Sequence, residues 1–308
     1  MMTVENIFCP TDLHSSYDEA LSYALALAKD HEARLSVCHV AEAIALSDET
    51  VSELRAQLAD TVQRHCYHDN AGRPGQPDWE PVIAVGEATE VIPRAAAQQH
   101  ADLIVMHSRR QSYVATLLGS TAETVSRSAP CPVLVTHSYE HDWVNADTGE
   151  IRLKKILMAY DFSEDSELAL NLALLFAEQY QAALHLLHVL PTSRETTVYS
   201  QGEVETVTID LQNVVPEEAQ VWCEVTTAVR VGTPYREILE YADEHDVDMI
   251  CLGVSGSGGE LQTLLDSHVE PVLRQASCPV LIVRPLKPAS FVLAESKTQS
   301  EPQALFER

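Results

Sequence analysis

Four blocks of sequence occur twice in this chain, in the same order and at a nearly constant spacing. The matched pairs, which lie 146 to 149 positions apart, are 6–21 with 155–170, 33–40 with 182–189, 101–106 with 247–252, and 119–135 with 266–282. In the last pair, nine of the 17 positions are identical. Ordered blocks whose spacing drifts by only a few residues indicate duplication followed by loop insertions and deletions. The 308 residues are therefore predicted to form one domain twice rather than two different domains.

Each copy alternates short apolar runs with segments of helical periodicity. In the first copy the predicted strands are 4–10, 34–40, 80–85, 102–107 and 132–137, and the predicted helices are 15–31, 47–67, 88–99 and 119–128. Apolar strands that alternate with helices are typical of a parallel sheet covered on both faces. We therefore expect an α/β fold of two tandem, doubly wound, five-stranded parallel-sheet domains.

The domain boundaries follow from the repeats. We expect domain 1 at 1–137, a short polar linker at 138–152, domain 2 at 153–286 and a polar, mobile tail at 287–308. Within domain 2, residues 191–220 are ambiguous because they contain the run TVYSQGEVETVTIDL. This run is rich in β-branched residues, so helix and strand both stay open there.

Charge and cysteine content exclude several classes of protein. The net charge of −26 divides equally between residues 1–150 and 151–308, and such a field repels nucleic acid and anionic membranes. The seven cysteines are odd in number and form no CxxC motif, which favours a reducing compartment over a disulfide framework. The first residues lack the pattern of a secretory signal. We expect a cytoplasmic protein that binds neither nucleic acid nor membrane.

In an open parallel sheet, ligands bind beyond the carboxyl ends of the strands. In both copies the first strand ends close to an aspartate, Asp12 and Asp161, and the second strand ends at a valine, Val40 and Val189. After the fourth strand of domain 2 comes the glycine-containing loop 253–267, which leads into a helix. Glycines let a backbone approach a phosphate closely, and a helix N-terminus offers free N–H groups. This edge is the predicted ligand site.

The pattern resembles the universal stress protein family in its tandem form. The resemblance rests on a first strand ending in Asp, a G-x2-G-x9-G-[ST] loop, and the final strands APCPVLV (129–135) and ASCPVLIV (276–283). It covers 3–137 and 153–285, and implies Rossmann-like domains of the adenine nucleotide alpha hydrolase type. It also implies that the two domains pair through their final strands as an internal pseudo-dimer, with a homodimer as a further expectation. Some members of the family bind ATP, and others lack the glycines and do not.

The two copies differ in this loop. Domain 1 has His107 and Arg110 in place of the two early glycines and is one residue shorter, whereas domain 2 keeps both glycines but has Asp266 in place of the third. ATP is therefore expected mainly in domain 2, with Asp266 either repelling phosphate or capping the helix. The predicted contacts are Asp161, Val189, Gly253, Ser255, Gly256 and Ser267 in domain 2, and Asp12, Val40, Gly119, Ser120 and Thr121 in domain 1.

Simpler interpretations stand beside these. Asp12 and Asp161 are also good turn-capping residues. The run HCYHDN (65–70) contains metal-ligand residue types but no second pair at metal spacing, so no metal or redox cofactor is predicted. His39 and His188 are interpreted as core or pocket-wall residues. No catalytic arrangement stands out. We expect a non-enzymatic stress-response factor with an unidentified protein partner; the alternatives are a scaffold that binds no nucleotide and, less favoured, a weak ATPase.

Overall fold

The computed structural model describes residues 4–13, 18–43, 45–66, 77–108, 120–137, 142–145, 147–192, 198–254 and 269–284. In domain 1 the strands are β1 (Asn6–Pro10), β2 (Arg34–Ala41), β3 (Trp79–Val85), β4 (Leu103–His107) and β5 (Val133–Thr136). Its helices are α1 (Glu19–Asp30), α2 (Asp48–His65), α3 (Ala88–Gln98) and α4 (Ser120–Ser128). The predicted order of elements is confirmed.

Among the described residues, domain 2 repeats this plan with one additional helix. Its strands are β6 (Lys155–Ala159), β7 (Ala183–Pro191), β8 (Val225–Gly232), β9 (Met249–Gly253) and β10 (Val280–Val283). Its helices are α5 (Glu164–Tyr180), α6 (Gln201–Gln212), α7 (Glu217–Trp222), α8 (Pro234–Glu244) and α9 (Val269–Gln275). The predicted tail, 287–308, lies outside the described residues.

The ambiguous segment 191–220 contains helices. Ser200 and Glu203 form a reciprocal capping box, in which the Ser200 side chain accepts from the Glu203 N–H and the Glu203 carboxylate accepts from the Ser200 N–H. This arrangement satisfies two backbone donors that a helix start leaves without partners. The cap therefore offsets the low helix propensity of the β-branched residues that follow it.

The ten strands of the described residues belong to one sheet, in the order β3-β2-β1-β4-β5-β10-β9-β6-β7-β8. Within each domain neighbouring strands run parallel, and β5 meets β10 antiparallel, with Leu134 opposite Leu281. The predicted pairing of the two domains through their final strands is thus present within the chain. This pairing removes two strand edges that would otherwise be open to association.

Each face of the sheet carries one continuous hydrophobic core that crosses from domain 1 to domain 2. One core lies beneath α1, α2 and α5 to α7, and the other lies beneath α3, α4, α8 and α9. The first core continues into contacts between the ends of α1 and α5, where the Tyr180 hydroxyl lies 3.1 Å from His31 Nε2. In the described part of the chain, no helix is both long and apolar enough to cross a lipid bilayer.

The described part of the linker packs tightly on domain 1. Val144 and Ile151 form an antiparallel bridge, and the Asn145 side chain accepts hydrogen bonds from the N–H groups of Asp147 and Thr148. Trp143 is 1% exposed and contacts the Tyr23 ring edge to face. The composition of the linker predicts a polar connection, and a buried indole inside it is not evident from that composition.

Candidate functional site

Domain 1 has a cavity of about 550 Å³ at the carboxyl ends of β1, β2 and β4. This volume falls within the range of about 300–1,000 Å³ that is usual for small-molecule sites. Apolar and polar residues both line it. The side chains that line it include Asp12, Asp18, Cys38, His39, Val40, Glu42, Ala88, His107, Thr121 and Ala122.

A histidine joins the ends of the first two strands in both domains. His39 Nδ1 lies 3.1 Å from the Thr11 carbonyl oxygen, and His188 Nδ1 lies 2.7 Å from that of Tyr160. Because a carbonyl only accepts, Nδ1 carries the hydrogen in the neutral ring and Nε2 keeps a lone pair. His39 also lines the cavity, so the interpretation of this residue as a pocket wall agrees with its position.

Asp18 and His65 fix the start of α1 at the cavity. Asp18 is 7% exposed and accepts from the Leu21 N–H as the N-cap, while its own N–H donates to His65 Nε2. His65 Nδ1 lies 2.8 Å from the Thr61 carbonyl oxygen, so both ring nitrogens have structural partners. Within the described residues, no group of three or more His, Cys, Asp or Glu side chains could hold a metal ion.

His107 occupies the end of β4, where domain 2 has Gly253. Its Nδ1 lies 3.4 Å from Thr136 Oγ1 and 4.0 Å from Glu19 Oε2. Burial lowers the pKa of His107, although nearby Asp18 raises it, and the ring is therefore neutral at pH 7. The imidazole thus lies at the cavity as a neutral group.

The equivalent site in domain 2 is nearly filled, with a cavity of about 10 Å³, which has room for about one water molecule at most. Leu187 and Pro234, which line it, stand where domain 1 has Cys38 and Ala88. Val269, which begins α9 and is 7% exposed, stands at the position of Ala122. Each of the three side chains is larger than its counterpart, so the difference in volume has a direct origin in sequence.

Asp161 holds the turn into α5. Its Oδ1 accepts hydrogen bonds from the Ser163 N–H (3.1 Å) and the Ser163 hydroxyl (2.5 Å). The following residue, Phe162, has a left-handed φ of 63°, and its ring contacts Tyr160 and His188. Asp161 therefore caps the turn into α5 in this structure. The Phe162 ring lies against the His188 ring.

Gly253 is explained by helix packing. A Cβ at this position would overlap the carbonyl group of Asp165 and the Cα of Ser166, both in the first turn of α5. In domain 1, α1 begins at Glu19, four residues later than α5 in the alignment of the two copies, and His107 is accommodated at the matching position. Sequence alone does not reveal which backbone approaches a glycine, and here it is the backbone of α5.

The predicted contacts other than Gly253 separate into four groups. Asp12, Val40 and Thr121 line the domain 1 cavity, and Asp161 and Val189 line the small cavity of domain 2. Ser120 begins α4. Ser255, Gly256, Ser267 and Gly119 lie outside the described residues, as do Arg110 and Asp266. The sequence reasoning named His107 only as a replacement for a loop glycine and missed Asp18 and Glu42. Glu42 directly follows β2, which is an available signal, whereas Asp18 is eight residues beyond the end of β1 and no strand end marks it.

Comparison with known proteins gives the family. The model of the universal stress protein family matches residues 3–137 and again 152–284. This chain belongs to the universal stress protein family. A universal stress protein of Methanocaldococcus jannaschii is 30% identical over 144 residues, covering 44% of this chain and 85% of that protein.

A solved structure shares the fold of this universal stress protein. The crystal structure of a universal stress protein from Archaeoglobus fulgidus covers 91% of this chain and 98% of its own, with a TM-score of 0.67 and 23% identity. Another universal stress protein was solved in complex with cAMP and covers 43% of this chain at 20% identity, with a TM-score of 0.33. That member therefore binds a nucleotide.

Proposed function

We propose that this chain is a non-enzymatic, cytoplasmic stress-response protein that binds an adenine nucleoside or nucleotide in domain 1. The observation that carries the proposal is the cavity of about 550 Å³ at the carboxyl ends of β1, β2 and β4. Strand ends at this edge are where open parallel sheets bind ligands. The family resemblance supplies the adenine chemistry, and ligand binding would alter the surface offered to a partner protein.

The glycine pattern favours domain 2 for this role, but the described geometry favours domain 1. Gly253 packs against α5, and Leu187 and Val269 belong to the core around the small domain 2 cavity. A nucleoside would need these side chains to move. We therefore assign the ligand to domain 1.

A non-enzymatic role is supported by how His39 is held. Its Nδ1 is paired with the Thr11 carbonyl oxygen rather than with a carboxylate, so the described residues do not assemble a catalytic triad of the Ser-His-Asp type on it. Burial also raises the pKa of the Cys38 thiol to about 12, so this cavity residue is not a thiolate nucleophile at neutral pH. The second candidate, a scaffold that binds no nucleotide, is favoured by the closed cavity of domain 2.

The test exchanges cavity side chains between the domains. We expect the double variant Cys38→Leu/Ala122→Val, which installs the side chains of domain 2, to lose adenosine binding measured by calorimetry. The matched control is Val37→Leu, since Val37 is buried on the opposite face of the sheet and domain 2 has Leu186 there. Adenosine, AMP and ATP all failing to bind the unmodified protein at millimolar concentration would support the scaffold instead.

A further inference from the structure

The strand seam between the two domains is nearly symmetric. In a twofold pair, a residue on the axis contacts its own counterpart, whereas residues off the axis contact different partners. Leu134 lies opposite Leu281, which is the equivalent residue of the second copy, so a pseudo-twofold axis passes through this pair. The flanking residues are also aliphatic, with Val133 opposite Ile282 and Val135 opposite Val280. Pairing of β5 with a second β5 would bring almost the same side chains together, so the seam alone does not select domain 2.

The ends of α1 and α5 also meet through equivalent positions, but their side chains differ. Gln179 Nε2 donates to Asp30 Oδ2 (3.2 Å), and the Tyr180 hydroxyl lies 3.1 Å from His31 Nε2. Each pair joins positions 149 apart, which is the spacing of equivalent residues in the repeated blocks on either side. The two copies have therefore diverged here into unlike residues that contact each other, a carboxylate with an amide and an imidazole with a phenol.

Two copies of domain 1 would meet at this axis with identical side chains. Asp30 would face a second Asp30 in place of the amide that donates to it, and like charges at hydrogen-bond distance repel each other. Burial lowers the pKa of His31, although Asp30 raises it, so the imidazole is neutral at pH 7 and does not offset the two carboxylates. An imidazole is also shorter than a phenol, so two facing histidines would lose the contact that the Tyr180 hydroxyl makes.

We propose that the ends of α1 and α5 determine which domains pair, so that domain 1 accepts domain 2 and rejects a second domain 1. The partner that domain 1 fits is a domain of the same fold whose first helix ends in an uncharged amide followed by a phenol. In domain 2 these two groups are Gln179 and Tyr180, at the end of α5. The strand seam joins the domains, and the helix ends supply the choice between partners. This inference does not depend on the ligand proposed for the domain 1 cavity.

The experiment installs the side chains of domain 1 at the end of α5 in the full chain. The double variant Gln179→Asp/Tyr180→His gives α1 and α5 the facing groups of two paired domains 1. In urea unfolding at pH 7, we expect its folding equilibrium constant to fall about tenfold, because an exposed charge contact contributes about twofold to fivefold and a hydrogen bond about twofold to tenfold. The part of this loss that comes from charge should shrink in about 1 M salt.

Exchanging the residues of both helices provides the rescue. The quadruple variant, which adds Asp30→Gln/His31→Tyr to the double variant, restores both unlike pairs with the two domains exchanged. Its carboxylate moves from the last turn of α1 to the last turn of α5, so the interaction with the helix dipole is exchanged and not added. We expect its folding equilibrium constant to return to within about threefold of that of the unmodified chain.

A control separates pairing from the local effect of a carboxylate at a helix end. Gln212→Asp adds the same group at the exposed last residue of α6, which packs against the edge strand β8, and should change the equilibrium constant by about twofold. A double variant as stable as the unmodified chain overturns the proposal, since domain 1 would then accept its own side chains. A quadruple variant that stays as unstable as the double variant, or a control that loses as much, assigns the loss to the helix end and also overturns it.

Discussion

Replacing Gly253 with alanine tests whether this glycine serves helix packing. The added Cβ would overlap backbone atoms of Asp165 and Ser166, and these atoms have no rotamer by which to move away. The first turn of α5 is also fixed by the cap from Ser163 Oγ to the Ser166 N–H (3.1 Å). The helix must therefore shift on the sheet, and overpacking of this kind costs about 1–3 kcal/mol. The corresponding fall in Tm is about 2–12 °C.

Thermal and urea unfolding of the full chain, followed by circular dichroism, measure this effect. The matched control is Gly202→Ala on α6, where an added Cβ meets no atom within 4 Å. Alanine is the better helix former, so the control should be unchanged or more stable by up to about 1 kcal/mol. A Gly253→Ala protein with the Tm and urea midpoint of the unmodified chain would refute the packing explanation.

Two further predictions concern stability. Burial lowers the pKa of His185, and nearby His245 and Lys155 lower it further. The neutral ring therefore stabilises the folded state above about pH 6.5, and this stabilisation is lost as the pH falls through the lowered pKa. Urea midpoints between pH 7 and 5 should therefore fall less in His185→Gln than in the unmodified chain; equal slopes would contradict this. Trp143→Ala should destabilise the chain by about 3–5 kcal/mol in urea unfolding, whereas an exposed, flexible linker would show almost no change.

The fold was predictable from the sequence because hydrophobic periodicity is a local signal. The pattern predicts a strand at 34–40 and a helix at 88–99, and the structure has β2 at Arg34–Ala41 and α3 at Ala88–Gln98. In 191–220 the β-branched residues obscured the signal, although Ser200 and Glu203 have the spacing of a capping box. That spacing alone would have favoured a helix.

The candidate site was less predictable because it depends on residues that meet only in three dimensions. The aspartates and valines at the strand ends were found from their positions, but the filling of the domain 2 cavity depends on Leu187, Pro234 and Val269, which belong to three different elements. Likewise, His65 is a metal-ligand residue type in the sequence, but in the structure its Nε2 accepts a hydrogen bond from the N–H of Asp18 at the start of α1. This role was not predictable because Asp18 lies 47 residues away along the chain.

The antiparallel pairing of β5 with β10 has a consequence for how this protein behaves on dilution. Because both strands belong to one chain, their association is intramolecular and has an effective concentration set by the intervening sequence. A pair of separate single-domain chains would dissociate as the protein concentration falls, whereas this pairing is independent of concentration. We expect the unfolding midpoint of the ten-stranded sheet to stay constant from micromolar to nanomolar protein. The β5–β10 pairing therefore stabilises both domains equally at any expression level.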